Sequence, residues 1–315
     1  MLTETPPETA PQKTTETSAG TRCGVVAVIG APNAGKSTLV NQLVGQKVAI
    51  TSAKAQTTRA RMLGIALHGN TQMILVDTPG IFSPRRKLDR AMVSAAWEGA
   101  SEADAVVLLV DPIKQRRHEL EPLVEALEKR PERKILVLNK VDRAPKEPLL
   151  ALAQELGAKL DFSEVFFVSA LTGDGVSEMK DALAQLMPEG AWMYPEDQVS
   201  NASERLLATE ITREQLYRQL HEELPYDTAV RPESYTQRKD GSVEIRQQIV
   251  VARDSQKSIV LGKGGQRIKA IGEAARAELA ELLGQKVHLF LHVKHAENWD
   301  QDKEMYEEMG LEWKG

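Results

Sequence analysis

The octet Gly30-Ala31-Pro32-Asn33-Ala34-Gly35-Lys36-Ser37 has the spacing G-x-x-x-x-G-K-[ST], a pattern that cradles phosphates when a strand precedes it and a helix follows. Its glycines let backbone N–H groups close on phosphate oxygens, and a helix N-terminus adds a field that favours negative charge. Lys36 neutralises the β- and γ-phosphates and the Ser37 hydroxyl ligates Mg²⁺, with Thr38 completing the first helical turn behind them. Asp77-Thr78-Pro79-Gly80 closes the apolar run Met73–Val76. A carboxylate at a strand tip holds Mg²⁺ through a water, and Gly80, lacking a side chain, can bring its N–H to the γ-phosphate. The tetrad is also ordinary turn chemistry, so its meaning comes from lying downstream of the octet. Asn139-Lys140-Val141-Asp142 follows the apolar run Ile135–Leu138 and narrows the base. Guanine presents a ring N–H and an amine side by side, and the Asp142 carboxylate can accept from both. Adenine would leave that carboxylate facing an acceptor. Lys140 can lay its stem over the base, and Asn139 can bridge to the phosphate loop. Ser169-Ala170-Leu171 follows the last strand of this half, where a backbone N–H can meet the guanine oxygen. Together these residues imply GTP or GDP with Mg²⁺.

A second chemistry lies at Ile259-Val-Leu-Gly262-Lys263-Gly264-Gly265-Gln-Arg267-Ile268. G-x-x-G between two helical stretches clamps the backbone of a single strand of about four nucleotides. Phosphates approach the main chain closely there, and Lys263, Arg267 and Lys269 supply positive charge. Further on, His288, Phe290, His292 and Lys294 alternate with Val287, Leu289, Leu291 and Val293. That alternation reads as the solvated face of a strand rather than a metal site.

These groups need two frameworks to position them. The chain has 315 residues, 42% of them hydrophobic and 27% charged, enough for sizeable cores in about two domains. A single cysteine, Cys23, excludes a disulfide framework and a cysteine-based zinc site. No apolar run is long enough to span a membrane, and the start lacks the apolar core of a signal peptide. The chain therefore reads as soluble and cytoplasmic, and it is expected to be a monomer. Residues 1–22 are rich in Thr, Pro and Glu and read as a disordered arm. Six strand candidates alternate with helices across 23–188, which predicts an α/β domain with a mostly parallel sheet and flanking helices. Residues 46–58 between them read as a mobile loop, 189–202 as a linker and 301–315 as an acidic tail. Across 203–300 the order becomes a long helix at 203–223, a hairpin turning at Lys239-Asp240-Gly241, a helix pair around the G-x-x-G and a final strand, an α+β domain. The formal net charge of −5 argues against nucleic acid, but it is uneven: 251–295 carries +4 and the last twenty residues −5. A small basic surface in an acidic body suits one short strand and predicts a shallow salt dependence.

The phosphate octet, the D-x-P-G, the N-K-x-D and the Ser-Ala-Leu, in this order, resemble the GTPases of the translation-factor class. The Gly-x-Pro-Asn-x-Gly-Lys-Ser form narrows the resemblance to the Era/EngA/MnmE-like group, with a P-loop GTPase fold on a six-stranded sheet. The second half resembles a type II KH domain. One GTPase domain followed by one KH domain, together with Gln56-Thr57-Thr58-Arg59 and Glu223-Leu-Pro-Tyr226, is similar to the Era family within that group. The resemblance makes Thr58 the residue that senses γ-phosphate and Mg²⁺, and gives Lys36, Thr58 and Gly80 the catalytic roles. It implies binding near the 3′ end of 16S ribosomal RNA, a part in maturation of the small (30S) subunit, and peripheral contact with the inner membrane. Asn33 resembles an asparagine that helps bind K⁺ in relatives. Ras-like proteins place a water-orienting glutamine after D-x-x-G; here Ile81 stands in its place, which predicts slow intrinsic hydrolysis. No arginine finger is assignable from the sequence. GTP is expected to order the loop around Thr58 and to tighten RNA binding. The rival readings are an RNA-modification GTPase, which would need a reactive group such as Cys23, a membrane-recruited signalling GTPase, and an assembly module that barely turns over.

Overall fold

The apolar runs of the first half become strands, those at the centre of the sheet buried on both faces, as a parallel sheet between two helical layers requires. In the computed structural model, residues 20–52, 54, 57–59, 62–82, 84, 86–114, 117–221 and 224–313 are described. The first domain runs β1 (Arg22–Ile29), α1 (Lys36–Val44), β2 (Met62–His68), β3 (Thr71–Asp77), α2 (Lys87–Ser101), β4 (Ala105–Val110), α3 (Arg117–Glu128), β5 (Arg133–Leu138), α4 (Lys146–Lys159), β6 (Glu164–Phe167) and α5 (Val176–Leu186). Its six strands lie in the order β2-β3-β1-β4-β5-β6. Only β2 runs antiparallel to its neighbour. Val26 and Val28 pack with Leu39, Leu43, Met179 and Leu183 on one face, while Ala27 and Ile29 pack with Leu120, Leu123 and Leu156 on the other. The carboxyl ends of β1, β3, β4 and β5 therefore share one edge, where ligands of open α/β sheets bind.

The second domain runs α6 (Glu204–Gln219), β7 (Thr228–Gln237), β8 (Val243–Val251), α7 (Asp254–Leu261), α8 (Gln266–Leu283) and β9 (Val287–His295), followed by α9 (Lys303–Glu308). Its sheet has the order β7-β8-β9, antiparallel then parallel. Ile245, Ala275, Leu279 and Leu289 form one part of its core, and Leu216, Ile249, Val260 and Ile271 the other.

Several boundaries differ from the sequence reading. The arm was expected through residue 22, yet β1 starts at Arg22, which pairs with Thr71, and Thr21 Oγ1 donates to Gly190 O at 3.0 Å; residues 1–19 lie outside the described set. The expected linker is a strap fixed to the sheet. The fully buried Gln72 side chain accepts from Met193 N and Tyr194 N at 2.9 and 3.0 Å and donates to Tyr194 O. The acidic tail is not a free tail either. Met305, Tyr306 and Leu311 are buried with Trp299 against Leu88 and Met92 of α2; its average charge conceals an amphipathic pattern. The long helix ends at Gln219 rather than 223, because Leu220 is extended and Lys54 Nζ donates to the carbonyls of Tyr217 and Leu220. Among the described residues no helix is long and apolar enough to cross a membrane.

Candidate functional site

The phosphate loop leaves β1 at Gly30 and enters α1 at Lys36. Gly35 cannot carry a side chain: its φ is +105°, and a Cβ would sit 2.3 Å from Asn139 Nδ2. A cavity of about 340 Å³ opens here, lined by Pro32, Asn33, Gly35, Lys36, Ser37, Thr38, Thr58 and Gly80, among others. Lys36 Nζ donates to the carbonyls of Gly30 and Ala31 at 3.2 and 3.0 Å. Burial lowers its pKa to about 8, against an opposing pull from the Asp77 carboxylate. Thr78 Oγ1 donates to Val28 O at 2.7 Å and so fixes the turn through Pro79.

Three oxygens converge beside Lys36. Ser37 Oγ lies 2.8 Å from Thr58 Oγ1 and donates to Asp77 Oδ2 at 2.7 Å; Thr58 Oγ1 donates to the same Oδ2 at 3.0 Å. Asp77 is fully buried, and its Oδ1 has no hydrogen-bond partner among the described residues. Burial pushes its carboxyl pKa up, against the bonds from Ser37 and Thr58 and the charge of Lys36. An orphaned buried carboxylate oxygen costs free energy unless an ion or water meets it. Two hydroxyls and a carboxylate form a hard-oxygen set of the kind Mg²⁺ takes together with phosphates and waters, so these residues fit that ion. Thr57 turns its side chain back to Lys54 O, 2.8 Å away. Gln56 lies outside the described residues.

The base site is a neighbouring cavity of about 250 Å³. Asn139 ties it to the phosphate loop: Nδ2 donates to Ala34 O at 2.8 Å and Oδ1 accepts from Ala170 N at 2.9 Å. Lys140, at φ +64°, reaches Asn33 O at 2.7 Å and Asp111 Oδ2 at 2.6 Å. Asp142 is oriented by Ser169 Oγ, which donates to Oδ1 at 2.7 Å, and Leu171 lies exposed at the rim. Asp111, Ile113 and Lys114 also line this cavity and were not singled out in the sequence. The first follows β4, and the rule of sheet edges would have found it.

The loop carrying Thr58 leans on the second domain. Arg59 is buried (1% exposed) and donates to Tyr217 Oη at 3.0 Å, Tyr226 O at 3.1 Å and Thr228 O at 2.7 Å, over the rings of Tyr217 and Trp299. Arg213 donates to Thr57 O, and Lys47 pairs with Glu214 and Glu278. The described part of this segment is therefore anchored where a mobile loop was expected. Its polar partners on α6 lie within a continuous buried stretch, Ala208–Tyr217.

The G-x-x-G turn lies across the second domain. Gly262, Gly264 and Gly265 have φ of +71°, +60° and +77°. Space beyond Gly264 and Gly265 is open, with nothing within 4 Å of an added Cβ, so a ligand backbone can approach. Lys263 and Lys269 are exposed. Arg267 is partly committed, since its Nη1 donates to Ile259 O at 2.9 Å at the end of α7. His292 Nδ1 sits 3.3 Å from Glu233, but no cluster of three or more His, Cys, Asp or Glu able to hold a metal occurs among the described residues.

The family model described as "50S ribosome-binding GTPase" matches residues 25–140, and the KH domain model matches 223–300. The GTPase Era of Erythrobacter litoralis (strain HTCC2594) is 79% identical over 296 residues, covering 93% of this chain and 97% of that relative. The GTPase Era of Afipia carboxidovorans is 58% identical over 293 residues, covering 93% and 95%. Among solved structures, Era in complex with MgGDPNP and nucleotides 1506–1542 of 16S ribosomal RNA superposes with a TM-score of 0.86 at 36% identity, covering 92% of this chain and 99% of that one. An Aquifex aeolicus Era variant bound to GDP·AlF4⁻ gives 0.85, also at 36% identity, with the same coverage.

Proposed function

This chain belongs to the GTPase Era family, and from that premise we propose that it is a GTP-driven switch that grips the 3′ region of 16S ribosomal RNA and assists maturation of the small subunit. It is a GTPase, hydrolysing GTP to GDP and phosphate. The observation that carries the nucleotide reading is the convergence of Ser37, Thr58 and Asp77, with one Asp77 oxygen left unpartnered. When bound there, Mg²⁺ supplies positive charge against the β- and γ-phosphates. Lys36 does the same from the loop, Thr58 and Gly80 meet the γ-phosphate, and the backbone from Gly30 to Ser37 binds phosphate oxygens. Asp142 selects guanine, with Asn139, Lys140, Ser169 and Ala170 holding it in place. Ile81 offers no donor to orient water, which supports slow intrinsic turnover. Gly262–Gly265, Lys263, Arg267 and Lys269 clamp the RNA backbone, and GTP tightens that clamp. Crosslinking to cellular RNA in GTP and in GDP tests this reading. It expects fragments from the 3′ end of 16S RNA, more abundant with GTP; fragments scattered over the transcriptome would defeat it.

Asn33 lines the phosphate cavity, and family resemblance makes it a K⁺ ligand. Faster hydrolysis in KCl than in NaCl at equal ionic strength is the expected result, and equal rates would exclude it. The resemblance also supports a monomer in the cytoplasm with a peripheral fraction at the inner membrane, which cell fractionation checks. The rival modification enzyme loses ground because Cys23 is buried inside β1, away from both cavities.

A further inference from the structure

Among the described residues, two cationic side chains line the phosphate cavity, Lys36 and Arg218. The first is the motif lysine. The second comes from the last turn of α6, in the other domain. Arg218 is half exposed and is anchored by Glu214 Oε1, which accepts from its Nη2 at 2.6 Å. The Glu214 side chain is itself fully buried; it also pairs with Lys47 and accepts from Thr51 N and Thr51 Oγ1 at 3.1 and 3.3 Å. One carboxylate thus locks the phosphate-side loop to the second domain and holds an arginine that lines the cavity. The bond to Glu214 uses Nη2, so other N–H groups of the guanidinium fork remain for a ligand.

In GTP hydrolysis a water oxygen bonds to the γ-phosphorus while the bond to the β–γ bridging oxygen breaks. The electron pair leaves with GDP, and the water proton ends on phosphate or solvent. Negative charge therefore grows on the bridging and β-oxygens. Ile81 cannot donate a hydrogen bond there, whereas a preorganised guanidinium stabilises such charge.

We propose that Arg218 is a catalytic residue contributed across the domain boundary, placed at the β–γ phosphates by Glu214, so that hydrolysis requires the KH domain to be docked. This rests on the nucleotide reading of the same cavity. The test uses the full-length protein and its Arg218→Ala, Arg218→Gln and Arg218→Lys variants, measuring GDP affinity and single-turnover GTP hydrolysis with saturating Mg²⁺. Expected are GDP affinities within about threefold of the parent, a hydrolysis rate about tenfold or more lower for Ala and Gln, an intermediate rate for Lys, and partial rescue of the alanine variant by millimolar guanidinium. Hydrolysis within about twofold of the parent overturns the proposal. So does a parallel loss of GDP affinity, which would make Arg218 a ground-state contact. Should the alanine variant fail to fold, the Gln and Lys variants carry the same comparison. Failure of the parent to bind GDP would instead defeat the nucleotide reading itself.

Discussion

Asp142 shows how much a single carboxylate decides. Ser169 Oγ holds one of its oxygens at 2.7 Å, so the group is aimed before any base arrives. An Asp142→Asn amide keeps the shape and the Ser169 contact but replaces one acceptor with a donor. That donor faces the guanine amine, and a donor–donor clash against the base costs more than the lost bond alone. GDP affinity should fall about a hundredfold or more. Xanthosine diphosphate, which carries an oxygen where guanine has its amine, should become the better ligand in a competition assay. A variant that still prefers GDP would remove Asp142 from the base site. Cys23 illustrates burial in place of chemistry. It is 5% exposed, and burial raises its thiol pKa above the ordinary value. Only the thiolate is nucleophilic, so the native thiol stays protonated to higher pH than an unfolded one. Alkylation at pH 8 should be at least about tenfold slower in native protein than in urea, and native labelling should rise with pH. Equal rates would mean that β1 opens at Arg22–Gly24.

Among the elements, the G-x-x-G turn separates fold from function cleanly. Gly264 adopts φ +60° in open space, a conformation that Asp tolerates better than most residues. Gly264→Asp should therefore melt within a few degrees of the parent while placing a negative charge where a phosphate would lie. RNA affinity should drop about tenfold or more in a filter-binding assay, and undiminished binding would move the clamp elsewhere. Gly262 is the poorer test, since its Cβ would meet Arg267 Cβ at 2.8 Å and disturb the fold itself. This turn, the phosphate octet and the alternation of strands with helices were legible in the sequence because each depends on local spacing or on a continuous apolar run. Helix α6 was not fully legible. Leu216 and Ile211 mark its apolar side, but the polar run Thr212, Arg213, Glu214 and Gln215 between them is buried as well. Arg213 and Glu214 find partners within 47–57, some 160 residues earlier, and Gln215 finds Glu278, and no local pattern carries that information. The tail failed for a related reason. Its seven acidic residues among the last twenty outweighed Met305, Tyr306 and Leu311, whose burial depends on α2.

At the scale of the molecule, the decisive joint is one residue from the Thr58 hydroxyl. Thr58 faces Ser37 and Asp77, while Arg59 is plugged into the second domain. Any displacement of Thr58 when the γ-phosphate is lost must therefore strain Arg59 or pull on Tyr217, Tyr226 and Thr228. Coupling between two sites is reciprocal in binding free energy. If GTP tightens RNA binding by some factor over GDP, RNA must favour GTP over GDP by the same factor. Arg59→Leu removes the guanidinium from the rings of Tyr217 and Trp299 and takes its hydrogen bonds away from the Tyr217 hydroxyl and the carbonyls of Tyr226 and Thr228. Orphaning such groups costs about 1–3 kcal/mol each where water cannot reach them, so docking should weaken by about 2–4 kcal/mol and the two domains should melt as separate transitions. Each site should still bind its ligand alone, because neither the octet nor the G-x-x-G turn contacts Arg59. The coupling should vanish: RNA affinity in GTP and in GDP becomes equal in the variant while differing in the parent. A parent with equal affinities would show that the joint transmits nothing. A variant that keeps the parent's ratio would show that the signal travels by another contact, with Glu214 and its hold on Thr51 the next to be cut.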